Sequence, residues 1–241
     1  MPDNRVVILA GGKGTRLRPF TANFPKPLVP IGDRPILAIL LGQLARQNFT
    51  RVTLALGHLS ELIKAYVGQD KALSDRLDID FVEEKEPTGT AGSLSLVPDL
   101  DGTFLVANGD VLTDLDYRTL IKAHEEAGAA LTIASHTKKL TTEFGVLEAD
   151  ENGILTDYIE KPDRRIEVSM GVYVYDPRVL RFIEKGTYLD LPNLVHKLME
   201  AGETVAIHRN EAFWLDIGRP EDFALAQQIY EADASRFGDA A

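Results

Sequence analysis

A glycine-rich turn behind an apolar segment is the first feature of the sequence that could bind a ligand. The segment Arg5–Ala10 is rich in Val and Ile, and Gly11, Gly12 and Gly14 follow it at once. Glycines leave backbone amides uncovered, so these amides can surround phosphate oxygens. The spacing matches neither the Walker pattern nor G-x-G-x-x-G, and an ordinary tight turn is the alternative. The turn therefore indicates a phosphate site of another type.

Two cations follow the glycines. Arg16 lies two residues after Gly14. Lys26 stands between Pro25 and Pro27, whose rings fix backbone φ and limit where the ammonium group can reach. Residues 1–51 hold eight Lys or Arg and two Asp or Glu, whereas the whole chain has a net charge of -11. A basic end on an acidic protein suggests a local anion site, and chance clustering of solvated side chains is the alternative.

The composition limits the classes of function. With 241 residues, 44% of them hydrophobic, the chain can bury a substantial core. It has no long uncharged apolar run and no signal peptide before its first strand, so we expect a cytoplasmic protein without a membrane partner. The acidic charge argues against nucleic acid as a partner. The absence of cysteine excludes disulfides, zinc-thiolate sites and thiol nucleophiles.

Strand-like and helical patterns alternate through the first half of the chain. The patterns predict strands at 5–10, 51–56, 79–82, 104–107 and 131–135, and helices at 36–47, 60–67 and 117–127. This order predicts an α/β fold with a Rossmann-like, mainly parallel sheet between two layers of helices. Ligands of such sheets bind at the carboxyl ends of the strands.

The second half has a different pattern. Strand-like segments at 144–149, 154–159 and 170–175 are joined by short turns, which predicts a small antiparallel subregion. Helices are predicted at 177–183, at 192–201 and from Pro220, with strands at 205–208 and 213–216. No internal repeat or linker is evident, so residues 1–241 are predicted to form a single domain.

Several motifs, spread in order over nearly the whole chain, resemble those of the sugar-1-phosphate nucleotidyltransferases. They are Gly11-Gly12-Lys13-Gly14-Thr15-Arg16-Leu17-Arg18-Pro19, Phe24-Pro25-Lys26-Pro27-Leu28-Val29-Pro30-Ile31, Glu86-Pro87-Thr88-Gly89-Thr90-Ala91-Gly92, Asn108-Gly109-Asp110, Glu160-Lys161-Pro162, Gly171-Val172-Tyr173 and Trp214-Leu215-Asp216-Ile217-Gly218. The Pro-Lys-Pro and Gly-Thr-Ala-Gly forms are most similar to mannose-1-phosphate and D-glycero-D-manno-heptose 1-phosphate guanylyltransferases. The resemblance implies a glycosyltransferase-A-like fold, with residues 1–135 mainly binding nucleotide and residues 136–241 mainly binding sugar phosphate.

The reaction implied by this resemblance joins a nucleoside triphosphate to a sugar 1-phosphate and releases pyrophosphate. The attacking phosphate is already an anion, so catalysis must consist of charge cancellation and alignment. Mg²⁺ is the expected cofactor, and Asp110 and Asp216 are its expected ligands because they occupy the family's metal motifs. For either residue alone, a turn or a helix cap is the alternative.

The resemblance also assigns the other site residues. Arg16 is expected to bind the β and γ phosphates and to stabilise the leaving pyrophosphate. Lys26 is expected to lie nearer the reacting phosphates, and Arg16, Lys26 and Asp110 are the expected catalytic residues. The expected nucleotide-binding residues are Leu9, Ala10, Gly11, Gly12, Gly14, Thr15, Glu84, Gly89, Thr90, Asn108 and Gly109. The expected sugar-phosphate-binding residues are Gly145, Glu160, Lys161, Gly171 and Asp216. A solvated strand end is the alternative for Glu160 and Lys161.

Glu84 is the candidate for reading the base. It lies five residues before Gly89, where thymidylyl relatives carry an amide. A carboxylate can accept from the two adjacent donors of guanine, whereas uracil and thymine offer one donor between acceptors. We therefore expect GTP as the nucleotide. Glu83 or Glu86 could be the reader instead, and a solvated acidic run is a further alternative.

Two alternatives concern the function as a whole. The same transfer could use uridine or thymidine nucleotides with a hexose 1-phosphate, or the chain could be a non-catalytic, nucleotide-sugar-binding regulatory subunit. Many mannose-1-phosphate enzymes of this group carry a C-terminal β-helix, whereas only residues 233–241 follow the last predicted helix. That difference makes heptose 1-phosphate a credible substrate beside mannose 1-phosphate. A homodimer is compatible with the sequence.

Overall fold

The computed structural model describes residues 5–238. Its strands are β1 (Arg5–Ala10), β2 (Pro30–Ile31), β3 (Arg34–Pro35), β4 (Arg51–Leu56), β5 (Asp78–Glu83), β6 (Phe104–Asn108), β7 (Val111–Thr113), β8 (Leu131–Thr141), β9 (Val146–Ala149), β10 (Leu155–Ile159), β11 (Asp163–Tyr175), β12 (Val205–Arg209) and β13 (Trp214–Asp216). Its α-helices are α1 (Ile36–Arg46), α2 (Ser60–Gln69), α3 (Lys71–Ser74), α4 (Gly89–Gly92), α5 (Tyr117–Ala127), α6 (Leu191–Glu200) and α7 (Pro220–Ala232). Short 3-10 helices cover Thr15–Leu17, Lys26–Leu28, Ser93–Leu96, Pro177–Phe182 and Ala234–Phe237.

A seven-stranded sheet in the order β12-β8-β11-β6-β1-β4-β5 organises the molecule. Strands β6, β1, β4 and β5 are parallel to one another, and β12 is parallel to β8. β11 runs antiparallel to both of its neighbours, β6 and β8. The predicted α/β class with a mainly parallel sheet is thereby confirmed.

The core lies on both faces of this sheet. Val6 and Ile8 of β1 belong to an apolar cluster that includes α1, α2 and α5, whereas Val7 belongs to a second cluster that includes α6. Alternate residues of a strand point to opposite faces, so β1 contributes to both clusters. Helix α1 is apolar almost all round, with Ile36 to Leu44 all buried, as expected for a helix inside a core.

Local sequence explains where the elements begin and end. Helix α5 begins after Asp116, whose Oδ1 accepts from the backbone N–H groups of Arg118 and Thr119 at 2.9 and 3.2 Å. It ends at Gly128, which has the left-handed conformation (φ 56°) that favours glycine at this position. Among residues 5–238, no helix is both long enough and apolar enough to cross a membrane.

Two sequence predictions were wrong in detail. The helix predicted at 177–183 is a 3-10 helix over Pro177–Phe182, because so short a segment ends before an α-helix is established. The strand predicted at 170–175 is the end of the much longer β11. Its first five residues are exposed, so they show no apolar alternation that could have revealed them. The antiparallel character of the region is present in the β8–β11 pairing and in the small β9–β10 sheet.

Candidate active site

Four loops meet at the carboxyl edge of the parallel strands. A methyl group added to Gly11, after β1, would lie 3.0 Å from Oε1 of Glu84, which follows β5. One added to Gly57, after β4, would lie 2.7 Å from the Gly11 carbonyl oxygen. The backbone N–H of Gly109, after β6, donates to Leu9 O at 2.9 Å. The glycines therefore let these loops approach one another closely.

A cavity of about 320 Å³ opens at this edge. It is lined by Leu9, Gly11, Gly12, Lys26, Pro27, Glu84, Pro87, Gly89, Thr90, Ser93, Asn108, Gly109, Asp110, Tyr188 and Asp190. A second cavity, of about 450 Å³, is lined by Arg16, His136, Lys138, Trp214, Leu215, Asp216, Gly218, Arg219 and Asp222. We call these the first and the second cavity.

Lys26 links the two cavities. Its side chain is only 10% exposed, and its ammonium group forms an ion pair with Asp110 Oδ2 and lies 3.9 Å from Asp216 Oδ1. The 3-10 helix that begins at Lys26 follows the extended Pro25. A methyl group on Gly14 would lie 3.1 Å from Lys26 Cβ, so the glycine turn packs directly against the lysine stem.

Asp110 and Asp216 are brought together by the pairing of β7 with β13. In that antiparallel pair Asp216 lies opposite Val111, the residue after Asp110. The backbone N–H of Ile217 donates to Asp110 O at 3.2 Å. Both carboxylates thus reach Lys26 from neighbouring backbone positions.

The charges of this cluster affect one another. Burial and the nearby Asp110 charge raise the pKa of Asp216, and Lys26 and Arg16 act in the opposite direction. Asp110 Oδ1 is buried and has no hydrogen-bond partner within the described residues. Two carboxylates with a free buried oxygen match a hard cation, so Asp110 and Asp216 could hold a magnesium ion. No group of three His, Cys, Asp or Glu side chains in residues 5–238 is arranged to hold a metal, so other oxygen ligands would complete its shell.

The structure brings most of the predicted nucleotide-binding residues together. Eight of them line the first cavity: Leu9, Gly11, Gly12, Glu84, Gly89, Thr90, Asn108 and Gly109. Ala10 is a buried strand residue, Gly14 supports Lys26, and Thr15 is exposed; none of the three lines either cavity. Of the acidic candidates, Glu84 lines the first cavity, whereas Glu83 pairs with Lys64.

Four of the predicted sugar-phosphate residues line neither cavity, namely Gly145, Glu160, Lys161 and Gly171. A side chain on Gly145 would meet the Tyr158 ring, and the Tyr158 hydroxyl donates to Glu160 Oε2 at 3.2 Å. Glu160 and Lys161 are exposed, and Lys161 has a positive φ of 45°. Their assignment to the sugar phosphate stays a prediction. Asp216 lines the second cavity.

Gly171 packs against Asn108, which lines the first cavity. Its φ is +73°, and an added methyl group would lie 2.6 Å from Asn108 Nδ2. The Asn108 side chain therefore packs directly on the Gly171 backbone. Only glycine combines this backbone conformation with the space that Asn108 needs.

Gly171→Ala is expected to weaken both stability and nucleotide use. Left-handed backbone costs alanine about 1–2 kcal/mol, and Asn108 must also leave its position at the cavity wall. The measurements are the denaturant midpoint and KM for the nucleotide. Gly153→Ala is the matched control, because Gly153 has φ +80° with no atom within 4 Å of the added methyl. Equal effects of the two changes on KM would contradict the Asn108 contact.

Tyr188 and Asp190 contribute to the first cavity without having been predicted. Asp190 Oδ1 accepts from Thr90 N at 3.3 Å, and the Tyr188 hydroxyl donates to Asp190 Oδ2 at 2.6 Å. A methyl group on Gly89 would lie 2.6 Å from the Leu189 carbonyl oxygen. The Gly89 loop and the start of α6 are thus packed together, a contact across about a hundred residues that no local motif reveals. His136, Lys138 and Arg219 in the second cavity were likewise not predicted.

Known proteins share both the sequence and the fold of this chain. Residues 5–233 match the family model described as nucleotidyl transferase. The UTP-glucose-1-phosphate uridylyltransferase of a Synechocystis species is 33% identical over 91% of this chain and 61% of its own length. The mannose-1-phosphate guanylyltransferase catalytic subunit beta of Drosophila pseudoobscura pseudoobscura is 34% identical over 94% of this chain and 62% of its own length.

A solved structure extends the comparison. The crystal structure of HddC from Yersinia pseudotuberculosis complexed with GMP-PN has a TM-score of 0.72 and 26% identity, covering 95% of this chain and 100% of that chain. The present chain spans about three-fifths of the length of the two sequence relatives. The match over residues 5–233, together with the glycine turn, the lysine and the two aspartates at one sheet edge, shows that the chain belongs to the nucleotidyl transferase family.

Proposed function

We propose that the chain transfers a nucleotidyl group from a nucleoside triphosphate to a sugar 1-phosphate and releases pyrophosphate. The observation that carries this proposal is the Lys26, Asp110 and Asp216 cluster between two cavities. One cavity can hold the nucleoside, and the other has room for a further phosphate group. The named activities of the two sequence relatives support the same reaction class.

The residues fit the demands of this reaction. A sugar phosphate oxygen attacks the α-phosphorus, a new P–O bond forms, and the bond to the β-phosphate oxygen breaks. Because the phosphate has a second pKa of about 6, it attacks without a general base at neutral pH. Bringing it to a triphosphate costs roughly 4 kcal/mol for each unit-charge pair at 4 Å and an effective dielectric of 20. Lys26 and the amides of the glycine turn lower this repulsion and align the reactants.

Magnesium is part of the proposal. Asp110, through its free Oδ1, and Asp216 would hold it. When bound, the ion neutralises phosphate charge in the transition state. The two aspartates otherwise position Lys26, since both carboxylates approach its ammonium group.

GTP is the nucleotide that we propose, with a heptose or mannose 1-phosphate as its partner. Glu84 Oε2 accepts from Thr88 N at 2.8 Å and from Thr88 Oγ1 at 3.0 Å, whereas Oε1 faces Gly11. Each carboxylate oxygen has two lone pairs, so Oε1 can accept a hydrogen bond from guanine. For both oxygens to accept from guanine, Thr88 would have to release its hydrogen bonds to Oε2. The GMP-PN complex of HddC supports guanine, and the uridylyltransferase relative supports UTP as the alternative.

Glu84→Gln tests the base assignment. We expect the specificity constant for GTP to fall roughly tenfold relative to UTP and dTTP, because an amide places a donor where guanine also donates. The measurement is competition between nucleotides with one sugar 1-phosphate. Glu86→Gln is the control, since Glu86 has the same charge but lies outside both cavities. An unchanged preference would remove Glu84 as the base reader.

The function itself is tested by pyrophosphate release. Each of GTP, UTP, dTTP, ATP and CTP is combined with mannose, heptose, glucose and galactose 1-phosphates in the presence of MgCl₂. We expect release that requires both substrates, with GTP preferred. Failure of every combination would contradict the proposal and favour a binding subunit without turnover.

A further inference from the structure

The second cavity contains more positive charge than the roles given so far require. Arg16, Lys138 and Arg219 line it, and none of the three forms an ion pair within residues 5–238. Two acidic residues, Asp216 and Asp222, also line it. Asp222 Oδ2 already accepts from Gly218 N at 3.2 Å and from Arg219 N at 2.9 Å. Like charges around one cavity repel each other until an anion binds. The cavity is therefore suited to a ligand with several negative charges.

Three separate segments bring these cations together. Arg16 lies in the 3-10 helix Thr15–Leu17, directly after the glycine turn. Lys138 lies on the part of β8 that pairs with the exposed start of β11, opposite Ile166. Arg219 immediately precedes α7. The three cations therefore meet through the fold and do not belong to one basic stretch of the sequence.

The register of β8 directs Lys138 toward the cavity. Residues two apart on a strand share a face, so Lys138 lies on the same face as His136, which also lines the second cavity. His136 Nδ1 is buried without a hydrogen-bond partner within the described residues. The neighbouring Lys139 lies on the other face and pairs with Asp163 at 2.6 Å. The chain thus contains two adjacent lysines, of which one lines the cavity.

Gly218 marks the point where the cavity meets the reaction centre. A methyl group added there would lie 3.4 Å from Asp216 Oδ2 and 3.7 Å from an Arg16 guanidinium nitrogen. Asp216 in turn lies 3.9 Å from Lys26 Nζ. A ligand in the second cavity can therefore be continuous with a phosphate held at Lys26.

We propose that Lys138 and Arg219 add to the pyrophosphate contact expected of Arg16, so that these two further side chains bind the pyrophosphate that leaves in the reaction. This inference rests on the proposed function. When the bond between the α-phosphorus and the β-phosphate oxygen breaks, its electron pair stays on that oxygen, so negative charge grows on the leaving group. Cations placed there stabilise the transition state more than the bound triphosphate. His136 Nδ1 is available for one further hydrogen bond.

Calorimetric titration with inorganic pyrophosphate in the presence of MgCl₂ tests this site without any turnover. We expect Lys138→Ala and Arg219→Ala each to weaken pyrophosphate binding roughly tenfold, as for loss of one charge-assisted hydrogen bond. Lys138→Arg should retain most of the affinity. Lys139→Ala, which removes the same charge from the opposite face, should bind like the wild type.

A second titration, with mannose 1-phosphate, distinguishes the two phosphate sources. If the variants lose affinity for mannose 1-phosphate while pyrophosphate binding is unchanged, the cavity holds the sugar phosphate and the inference is overturned. It is equally overturned if the wild type does not bind pyrophosphate, or if Lys139→Ala has the same effect as Lys138→Ala. The proposed function is tested separately by the substrate screen. If it is wrong, no pyrophosphate is released there, and this outcome does not depend on the results of the titrations.

Discussion

Asp110→Asn is expected to lower turnover by roughly two orders of magnitude or more while the protein stays folded. Asparagine keeps the shape of the side chain but removes its charge and one of its two oxygens, so the side chain can no longer both pair with Lys26 and offer a free oxygen to magnesium. Asp216→Asn is expected to have an effect of similar size. The measurement is kcat at saturating nucleotide, sugar 1-phosphate and MgCl₂.

Thermal stability separates catalysis from folding in these two variants. The pKa of Asp216 is raised, so the contribution of this group to stability is greatest at low pH and is lost as the pH rises through its folded-state pKa. At neutral pH Asp216→Asn should therefore be at least as stable as the wild type. Asp110→Asn should be less stable, because Lys26 loses its ion-pair partner.

Asp99→Asn is the matched control for both changes. Asp99 forms an exposed ion pair with Arg51 at 3.4 Å and lies outside both cavities. Its replacement should leave kcat unchanged. Near-normal turnover in both Asp110→Asn and Asp216→Asn would refute the metal assignment and, with it, the charge-cancellation mechanism.

The first cavity could be predicted from sequence because its residues follow buried strands. Gly11 comes directly after β1 and Asp110 lies just beyond β6, and parallel strands bring their carboxyl ends to one edge. A short apolar strand followed by glycine gives a strong local signal, so the strand and its ligand loop are both predictable. Helices α1, α2 and α5 were predicted because their apolar residues recur at helical spacing, whereas the four-residue helices α3 and α4 are too short to show such a pattern.

Of the residues that line the second cavity, Arg16 and Asp216 were predicted, whereas His136, Lys138 and Arg219 were not. Their places depend on tertiary contacts that no local pattern reveals. Lys138 lines the same cavity as Asp216 only because β8 continues to Thr141 alongside β11. The residues that continue β11, such as Arg164 and Arg165, are exposed. A strand without a buried face shows no alternation of apolar residues, so both its length and its register are hidden. Asp190 and Gly89 are another such case, joined only by tertiary packing.

Lys26→Met is expected to lower turnover by roughly two to three orders of magnitude, because no other cation contacts both carboxylates in the described residues. Methionine retains the apolar stem that packs on Gly14 and removes only the charge. Lys26→Arg should not restore activity, since Gly14 lies so close to the lysine stem that a planar guanidinium cannot take its place. The measurement is kcat with all substrates saturating.

Lys26→Met should also lower the free energy of unfolding, and the size of this loss tests the role of Lys26. Asp110 and Asp216 would face each other without a cation, but their side chains are 24% and 44% exposed. The cost should therefore be about 1–3 kcal/mol, below the 3–5 kcal/mol typical of a fully buried pair that loses one partner. In the double variant Lys26→Met with Asp110→Asn, the repulsion disappears, so stability should recover.

Activity should not recover in that double variant, since the charge that opposes phosphate repulsion is still missing. If the double variant were more stable than Lys26→Met but no more active, the result would indicate that Lys26 acts on the substrate phosphates. If Lys26→Met instead kept normal turnover and lost only stability, Lys26 would be a counter-ion for Asp110 alone. The cations available for the reacting phosphates would then be Arg16 and whatever metal the two aspartates hold.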